Sequence, residues 1–328
     1  MHIVGPLRTM PLVAVDLGGT SIRAALVVGG QLLARVQRAT PAKEGPDAVV
    51  TAIAEAVHEA IGALSAGAAK PIALGIAAPG PLNGPAGVVY SPPNLAGWRD
   101  VPLRALLENR LGLPTHLIKD TNAAALAEHR FGAGRGTQNM IYLTISTGIG
   151  GGLILNGDLF QGGNGTAGEV GHVTVDQFGP VCNCGNVGCI EAVASGAALA
   201  RIAAERIAAG HMAPPQGNLT PSAALVIAAA QAGDEQALTL VQGAGRALGL
   251  ACVGLAHLFN PEVIVLGGGM AHAGELLMDP LHAAIRAHTM AAPKAHLRIV
   301  PADLGDDVGI WGAALHASEG ESGKGNRE

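Results

Sequence analysis

Charge is scarce in this chain. Asp, Glu, Lys and Arg make up 14% of its 328 residues, and only five of those are lysines. The balance is acidic, with a net charge of −5 and a pI near 6.2. A nucleic-acid surface is normally basic, so a partner of that kind is not expected. Cysteine is scarce too, with four residues in all. No N-terminal apolar run has the make-up of a signal peptide, and no uninterrupted apolar stretch reads as a bilayer span. These absences point to a cytoplasmic protein with reduced thiols and no membrane partner. Hydrophobic residues, by contrast, reach 49%, which supports a sizeable core and argues against disorder. The length suits one large domain or two lobes. Glycine is abundant at 48 residues, and its clustering marks backbone turns more than linkers.

Three of the four cysteines fall within one run of eight residues, Cys182-Asn-Cys184-Gly-Asn-Val-Gly-Cys189, with His172 ten positions upstream. Thiolates and imidazole are the ligands a structural zinc prefers, four in a tetrahedron. Gly185 and Gly188 let the loop turn so that Cys184 and Cys189 can face one ion. A disulfide or inert buried thiols are the alternatives, although a Cys182–Cys184 bridge would be strained. The spacing is not that of a zinc finger, so the cluster is expected to serve a larger site.

Along the chain, residues 1–10 read as a loose tail. Strands are expected at Pro11–Gly19, Ser21–Val28 and Gln31–Ala39, the last two joined by a Gly29-Gly30 hairpin turn. A helix follows at Pro46–Leu64, with Val49, Val50, Ile53, Val57, Ile61 and Leu64 on one face. Next come a strand at Ile72–Ala78, a Gly/Pro/Asn-rich stretch to Gly97 and a short helix at Pro102–Arg110. A strand at Thr115–Ile118 leads into a helix at Thr121–Phe131, with Asp120 as its N-cap. The second half repeats the opening: strand Met140–Ser146, glycine turn Gly148–Gly152, strand Leu153–Leu155, hairpin turn Asn156-Gly157, strand from Asp158 to Gln161. Such repetition suggests duplicated lobes. Helices near Glu191–Ala208, Pro221–Ala232 and Glu235–Phe259 follow, then a buried strand Val263–Leu266 that ends in Gly267-Gly268-Gly269. Pro214–Thr220 reads as a surface loop.

Asp16-Leu-Gly18-Gly19-Thr20 ends the first strand but does not lead into a helix, which excludes a dinucleotide fingerprint. The Lys-Ser/Thr pair of a P-loop is also missing. A hairpin turn of this kind exposes successive N–H groups that can cup phosphate oxygens, with Thr20 adding a hydroxyl. Asp16 could hold a magnesium ion. Thr147 and Gly148 sit in the equivalent turn of the second lobe, and Gly268 would let a flat ring approach the backbone. Asp120, at a strand end, is either a plain helix cap or a general base for a hydroxyl attacking a γ-phosphate. Glu169, His172 and Glu191 are natural partners for sugar hydroxyls, while Glu191 also suits a helix N-terminus. Asn94 can donate and accept, or simply turn the chain. Lys119 precedes Asp120 and, if close, would favour its charged form.

Four motifs, DLGGT at 16–20, STGIGGG at 146–152, GEVGH at 168–172 and CNCGNVGCIE at 182–191, resemble the ROK family (repressor, open reading frame, kinase) of the actin-like ATPase superfamily. PNLAGW at 93–98 and DTNAAALAE at 120–128 look like the bacterial glucokinases of that family. The resemblance runs from Val13 to about Leu315. It implies an α/β, two-lobed actin-like ATPase (ribonuclease H-like) fold with duplicated βββαβα lobes. The small N-terminal lobe would cover 1–120, with a C-terminal helix near 307–317 packing back on it. The large lobe, with the zinc motif, would cover 121–306, and a disordered tail 318–328.

The same resemblance assigns roles. Asp120 would be the catalytic base, with Asn94, Glu169, His172 and Glu191 holding the sugar together with it. His172, Cys182, Cys184 and Cys189 would bind a structural zinc. Gly18, Gly19, Thr20, Thr147, Gly148 and Gly268 would bind nucleotide, and Asp16 a magnesium that accompanies ATP. The implied activity is ATP-dependent phosphorylation of a hexose 6-hydroxyl, glucose first, by a homodimer. An N-acetylmannosamine or N-acetylglucosamine kinase is the alternative. A sugar-responsive repressor is less expected, because only about ten residues precede the first strand. A polymerising actin-like protein would leave the metal-and-carboxylate cluster without a purpose. Two departures stand out: Lys119 occupies the place of a sugar-contacting asparagine, and Ser21 that of a lysine. The cysteine pattern follows the CxCGxxGC form of glucokinases and N-acetylhexosamine kinases, not the CxxHG form of fructokinases.

Overall fold

The structure, a computed structural model, describes residues 11–64, 70–215 and 219–324. The expected tail at 1–10 and part of the expected loop at 214–220 lie outside these. The described residues divide into two compact units: those within 11–135, 159–167 and 303–324 form one, and those within 136–158 and 168–302 form the other.

The first unit is built on a sheet of order β3-β2-β1-β4-β7. Its strands are β1 (Leu12–Leu17), β2 (Ser21–Val28), β3 (Gln31–Ala39), β4 (Ala73–Ala78) and β7 (Thr115–Lys119). β1 and β2 pair antiparallel, as do β2 and β3, while β1–β4 and β4–β7 are parallel. Gly29 and Gly30 both take positive φ, as the tight hairpin requires. Helix α1 (Pro46–Gly62) lays Val49, Val50, Ile53 and Val57 on Val13, Val15 and Leu17. The Gly/Pro/Asn-rich stretch holds a small hairpin, β5 (Leu82–Asn83) and β6 (Val88–Val89), before α2 (Leu103–Leu111). Helix α3 (Asp120–Phe131) and the last helix, α10 (Val308–Lys324), pack together, and α10 lies along β1, β4 and β7. The expectation that residues 318–328 form a disordered tail is corrected for 318–324, because α10 runs through them and buries Ser318. The first unit also extends beyond the expected boundary at residue 120, since α3 packs on α10 and β4.

The second unit repeats the order as β10-β9-β8-β11-β12. These strands are β8 (Met140–Ile145), β9 (Ile149–Leu155), β10 (Asp158–Phe160), β11 (Val263–Gly267) and β12 (Arg298–Pro301). β8 pairs antiparallel with β9 and parallel with β11, which pairs parallel with β12. Each unit thus opens with a strand, a tight turn and an antiparallel return, then adds parallel strands on the other side. The expected glycine turn at 148–152 is corrected: Gly150, Gly151 and Gly152 lie inside β9, opposite Thr144, Leu143 and Tyr142. The expected helix Glu191–Ala208 is two helices, α4 (Ile190–Ala194) and α5 (Gly196–Ala208). Ser195 separates them, its backbone extended and its hydroxyl capping Ala198 N–H. Helices α6 (Ala223–Gln231) and α7 (Glu235–Phe259) follow, and then α8 (Glu275–His288) and α9 (Ala291–His296). Among the described residues, α7 is long and apolar enough to pass for a membrane span by length and composition alone, although Gln242 and Arg246 interrupt its apolar run. It is largely buried, with Leu240, Val241, Leu248 and Cys252 in the core of this unit.

Candidate active site and metal centre

In the first unit, Asp16 is the penultimate residue of β1 and faces Arg23 across the β1–β2 pair. Arg23 Nη1 lies 3.5 Å from Asp16 Oδ2 and donates to the Asp306 carbonyl at 3.2 Å. Asp16 also abuts the first turn of α10, where a Cβ on Gly309 would come within 2.6 Å of its carboxyl carbon. Burial pushes the Asp16 carboxyl up to about 6; the charge of Asp120 adds to this and Arg23 opposes it. Two carboxylates thus influence one another at the carboxyl ends of β1 and β7, the two strands that flank β4.

Asp120 is not the N-cap of α3, as the sequence suggested. Lys119 occupies that position and Asp120 is the first helical residue, its Oδ1 accepting from Thr121 N–H at 2.7 Å. The helix therefore starts one residue early and holds the carboxylate at its own positive end. Gly18 N–H donates to the Ser21 carbonyl at 2.9 Å and closes the Gly18–Thr20 turn. Thr40 Oγ1 donates to the Gly18 carbonyl and braces it. Asn94 lies against this turn, because a Cβ on Gly19 would sit 2.7 Å from the Asn94 Cβ. The Asn94 loop is anchored by buried Leu95 and Trp98, which follow the exposed asparagine directly and four residues on.

In the second unit, Ser146 N–H donates to the Gly148 carbonyl at 2.8 Å and leaves Thr147 exposed at the tip of the turn. Glu191, in the first turn of α4, accepts from Ile149 N–H at 2.8 Å through Oε2 and packs beside Gly148. The phosphate-type turn and one expected sugar carboxylate are therefore joined directly. Glu169 precedes a short 3-10 turn, Val170–His172, and its Oε2 lies 4.0 Å from His172 Nε2.

The other nitrogen of His172, Nδ1, lies 3.7 Å from Cys182 Sγ, and Cys184 Sγ lies 3.6 Å from Cys189 Sγ. The ligand atoms of His172, Cys182, Cys184 and Cys189 all fall within 4.8 Å of one another. Zn–S bonds of about 2.3 Å in a tetrahedron separate sulfurs by about 3.8 Å, so the four fit one zinc. None of the four cysteines forms a disulfide. Burial, aided by the adjoining thiols, pushes Cys189 up to about 12, while the Asn186 backbone N–H holds Cys184 below its usual range. A second and third thiolate in such a cluster need a cation to offset their repulsion. Gly188 makes the loop possible: its φ is +70°, and a side chain there would run into the Asp176 carbonyl.

A cavity of about 630 Å³ opens in the second unit beside the Ser146–Gly148 turn. Its walls include Thr147, Ala197, Ser222, Ile227, Gly269 and Met270. Gly268, next to the lining residue Gly269, takes φ +90°, and a Cβ there would come within 2.4 Å of the Ile145 carbonyl oxygen. The α5 and α6 walls escaped the sequence reading. The signal was present as alanines at 197, 200, 223, 224 and 228, whose small side chains leave the space open.

The ROK family profile matches residues 12–319. A glucokinase of Thermotoga maritima is 38% identical over 314 residues, covering 93% of this chain and 96% of that protein. An N-acetylmannosamine kinase of Shigella flexneri is 34% identical over 311 residues, covering 94% and 98%. Among solved structures, a ROK hexokinase from Thermus thermophilus superposes with a TM-score of 0.80 at 38% identity, covering 96% of this chain and all of that one. A ROK glucokinase from Streptomyces griseus, in complex with glucose and AMPPNP, gives 0.78 at 35%, covering 94% and 99%. The duplicated strand order is that of the actin-like ATPase fold of these sugar kinases. By profile, sequence and fold, the chain belongs to the ROK family.

Proposed function

We propose that this protein transfers the γ-phosphoryl group of ATP to the 6-hydroxyl of a hexose, glucose in the first place. The observation that carries the reading is the pair of carboxylates at the ends of β1 and β7, Asp16 and Asp120, in different settings. In this reading Asp120 takes the proton of the sugar hydroxyl as its oxygen attacks the γ-phosphorus. The bond to the bridging oxygen of ADP breaks, and the sugar phosphate and ADP leave. Gly18, Gly19 and Thr20 in one unit and Thr147, Gly148 and Gly268 in the other bind the nucleotide. The 630 Å³ cavity has the size and the apolar lining to take its nucleoside.

Asn94, Glu169, His172 and Glu191 orient the sugar with Asp120. Glu191 is fixed by the Ile149 N–H and His172 is turned toward Glu169 through Nε2. A magnesium ion near Asp16 would offset charge on the transferring phosphoryl group. A zinc held by His172, Cys182, Cys184 and Cys189 would lock the loop and the ring of His172. We further read the enzyme as a cytoplasmic homodimer acting on small molecules, without a nucleic-acid partner.

An N-acetylmannosamine kinase is the second reading, favoured by the N-acetylmannosamine kinase relative and by Lys119 beside the base. A coupled ADP-release assay over glucose, mannose, fructose, N-acetylmannosamine and N-acetylglucosamine tests both. The highest kcat/KM is expected for glucose. A clear preference for an N-acetylated sugar would select the second reading, and no sugar-dependent ADP release would sink both.

A further inference from the structure

Of the four residues that would hold the zinc, one is open to solvent. Cys182 is 5% exposed and Cys189 0%, and His172 is half-buried. Cys184 is exposed, and so are its neighbours Asn183 and Gly185. A thiol bound to a metal is already a thiolate, so its sulfur is a nucleophile without the help of a base. An oxidant arriving from solvent therefore meets Cys184 first. The kinase reading gives this sulfur no task beyond holding the metal.

A partner for the oxidised sulfur is in place. Cys189 Sγ lies 3.6 Å from Cys184 Sγ, and a movement of about 1.5 Å would bring the two to the disulfide bond length of about 2.05 Å. Cys182 is the poorer partner, because a bridge between residues two apart is strained. Backbone bonds hold the loop around the pair independently of the sulfurs. Cys182 N–H donates to the Asn186 carbonyl at 2.8 Å, Gly185 N–H to the Cys182 carbonyl at 2.9 Å, and Gly188 N–H to the Pro180 carbonyl at 2.9 Å. The fourth cysteine, Cys252, is 0% exposed in α7 and provides an unreactive reference.

We propose that Cys184 is an oxidation site, with Cys189 as its resolving thiol, through which a peroxide unloads the zinc and reversibly weakens sugar binding. The Cys184 thiolate attacks one peroxide oxygen. The S–O bond forms, the O–O bond breaks and hydroxide leaves. The Cys189 thiolate then attacks the Cys184 sulfur. The S–S bond forms, and a second hydroxide leaves with the electron pair of the S–O bond. The two sulfurs have lost two electrons, the peroxide has gained them, and two solvent protons turn the hydroxides into water. His172 and Cys182 then offer the zinc only two of its four ligands, so the ion departs and the His172 ring is freed. A dithiol reductant reverses the disulfide. This switch rests on the zinc and His172 assignments made above, while the disulfide itself needs only the two thiols.

Elemental analysis of the zinc content comes first and decides the metal assignment separately. The protein is then treated with a few equivalents of hydrogen peroxide per chain. Zinc release is followed with a chromogenic chelator, and the cysteines are mapped by mass spectrometry without reduction. One Cys184–Cys189 disulfide is expected for each zinc released, with Cys252 still a free thiol. Sugar KM should rise with the disulfide, and dithiothreitol with added zinc should restore it. A brief exposure in the presence of dimedone, which traps sulfenic acid, should label Cys184 alone. Cys184→His, which can still ligate zinc, should form no such disulfide and keep its metal through the same treatment. If that variant does not fold, the dimedone label decides. First modification at Cys182 or Cys189, a sulfinic acid at Cys184 without a disulfide, or free thiols throughout after treatment overturns the oxidation site. A disulfide that leaves zinc bound or KM unchanged overturns the switch. Zinc-free protein sinks the metal assignment and the switch with it, and the peptide map then still decides the oxidation site.

Discussion

At the scale of single residues, the two acids at the strand ends should separate by experiment. Asp120→Asn keeps the shape of the side chain and removes the proposed base, so kcat should fall by at least about 10² with sugar binding largely retained. Turnover within a few-fold of wild type would rule out Asp120 as the base. Asp16 makes a different prediction, through pH. Its pKa is raised from 3.8 to about 6, so the folded state holds this proton more tightly than the unfolded chain does. Stability from this group is therefore present below about pH 4 and is lost as pH rises through 6. The shift bounds the loss at about 3 kcal/mol. Asp16→Asn, which cannot ionise, should unfold at higher urea than wild type at pH 8 without magnesium, and at the same urea at pH 4. Equal differences at both pH values would show that the carboxylate is solvated. If Asp16 holds the magnesium, as proposed, the acidic limb of kcat/KM is expected near pH 6, because the neutral acid is a poor magnesium ligand.

At the scale of elements, the sequence was readable wherever local chemistry decided the outcome. β2 and β3 end where expected because Gly29-Gly30 fixes the turn and alternation fixes the faces. Helix α7 is bounded by the Asp234 cap, whose Oδ1 accepts from Ala237 N–H, and by Asn260 in the left-handed region. Reading failed where tertiary contact overrode a local signal. Gly151 looks like a turn residue, yet it sits in a strand because Val170 packs where its side chain would be. Ser195 breaks an alanine-rich run that reads as one helix. α8, α9 and β12 were not singled out, since Pro280 interrupts α8 and β12 is short and only half-buried. In the candidate site, the Cys/His spacing foretold a cluster that the geometry bears out. The link from Glu191 to the Ile149 N–H, 42 residues away, had no local signal. The cysteine loop is a test at this scale. Cys184→Ser should release one zinc per chain, free His172 to reorient and raise KM for sugar more than it lowers kcat. Zinc-free wild-type protein with full activity, shown by elemental analysis, would contradict the assignment.

At the scale of the whole molecule, the chain completes its first unit last. The segment after β12 returns to pack α10 on α3, with Trp311 against Phe131 at a ring separation of 6.1 Å. Close approach is allowed by Gly312, which meets the Ala123 backbone, and by Gly309 at Asp16. The returning segment is held by one buried acid. Glu128, fully buried on α3, accepts from Asp303 and Leu304 N–H through Oε1, at 3.0 and 2.9 Å, and from Ala133 N–H through Oε2 at 2.8 Å. Three N–H donors, the farthest of them 176 residues along the chain from Glu128, thus converge on one carboxylate, at the far end of the helix that begins with Asp120. A glutamine there has one acceptor oxygen and an amide that cannot accept, so it must turn a donor toward a donor. Glu128→Gln should therefore cost about 2–4 kcal/mol, read as a lower urea midpoint with an unchanged slope. It should also lower kcat if Asp120 is the base, as proposed, because the clamp holds the helix that begins with Asp120. The exposed ion pair Arg38–Glu59, at 2.8 Å, provides the comparison. Glu59→Gln should change stability by less than about 0.5 kcal/mol, since solvent screens that pair. Equal small effects from both substitutions would mean that the returning segment is held by apolar packing alone.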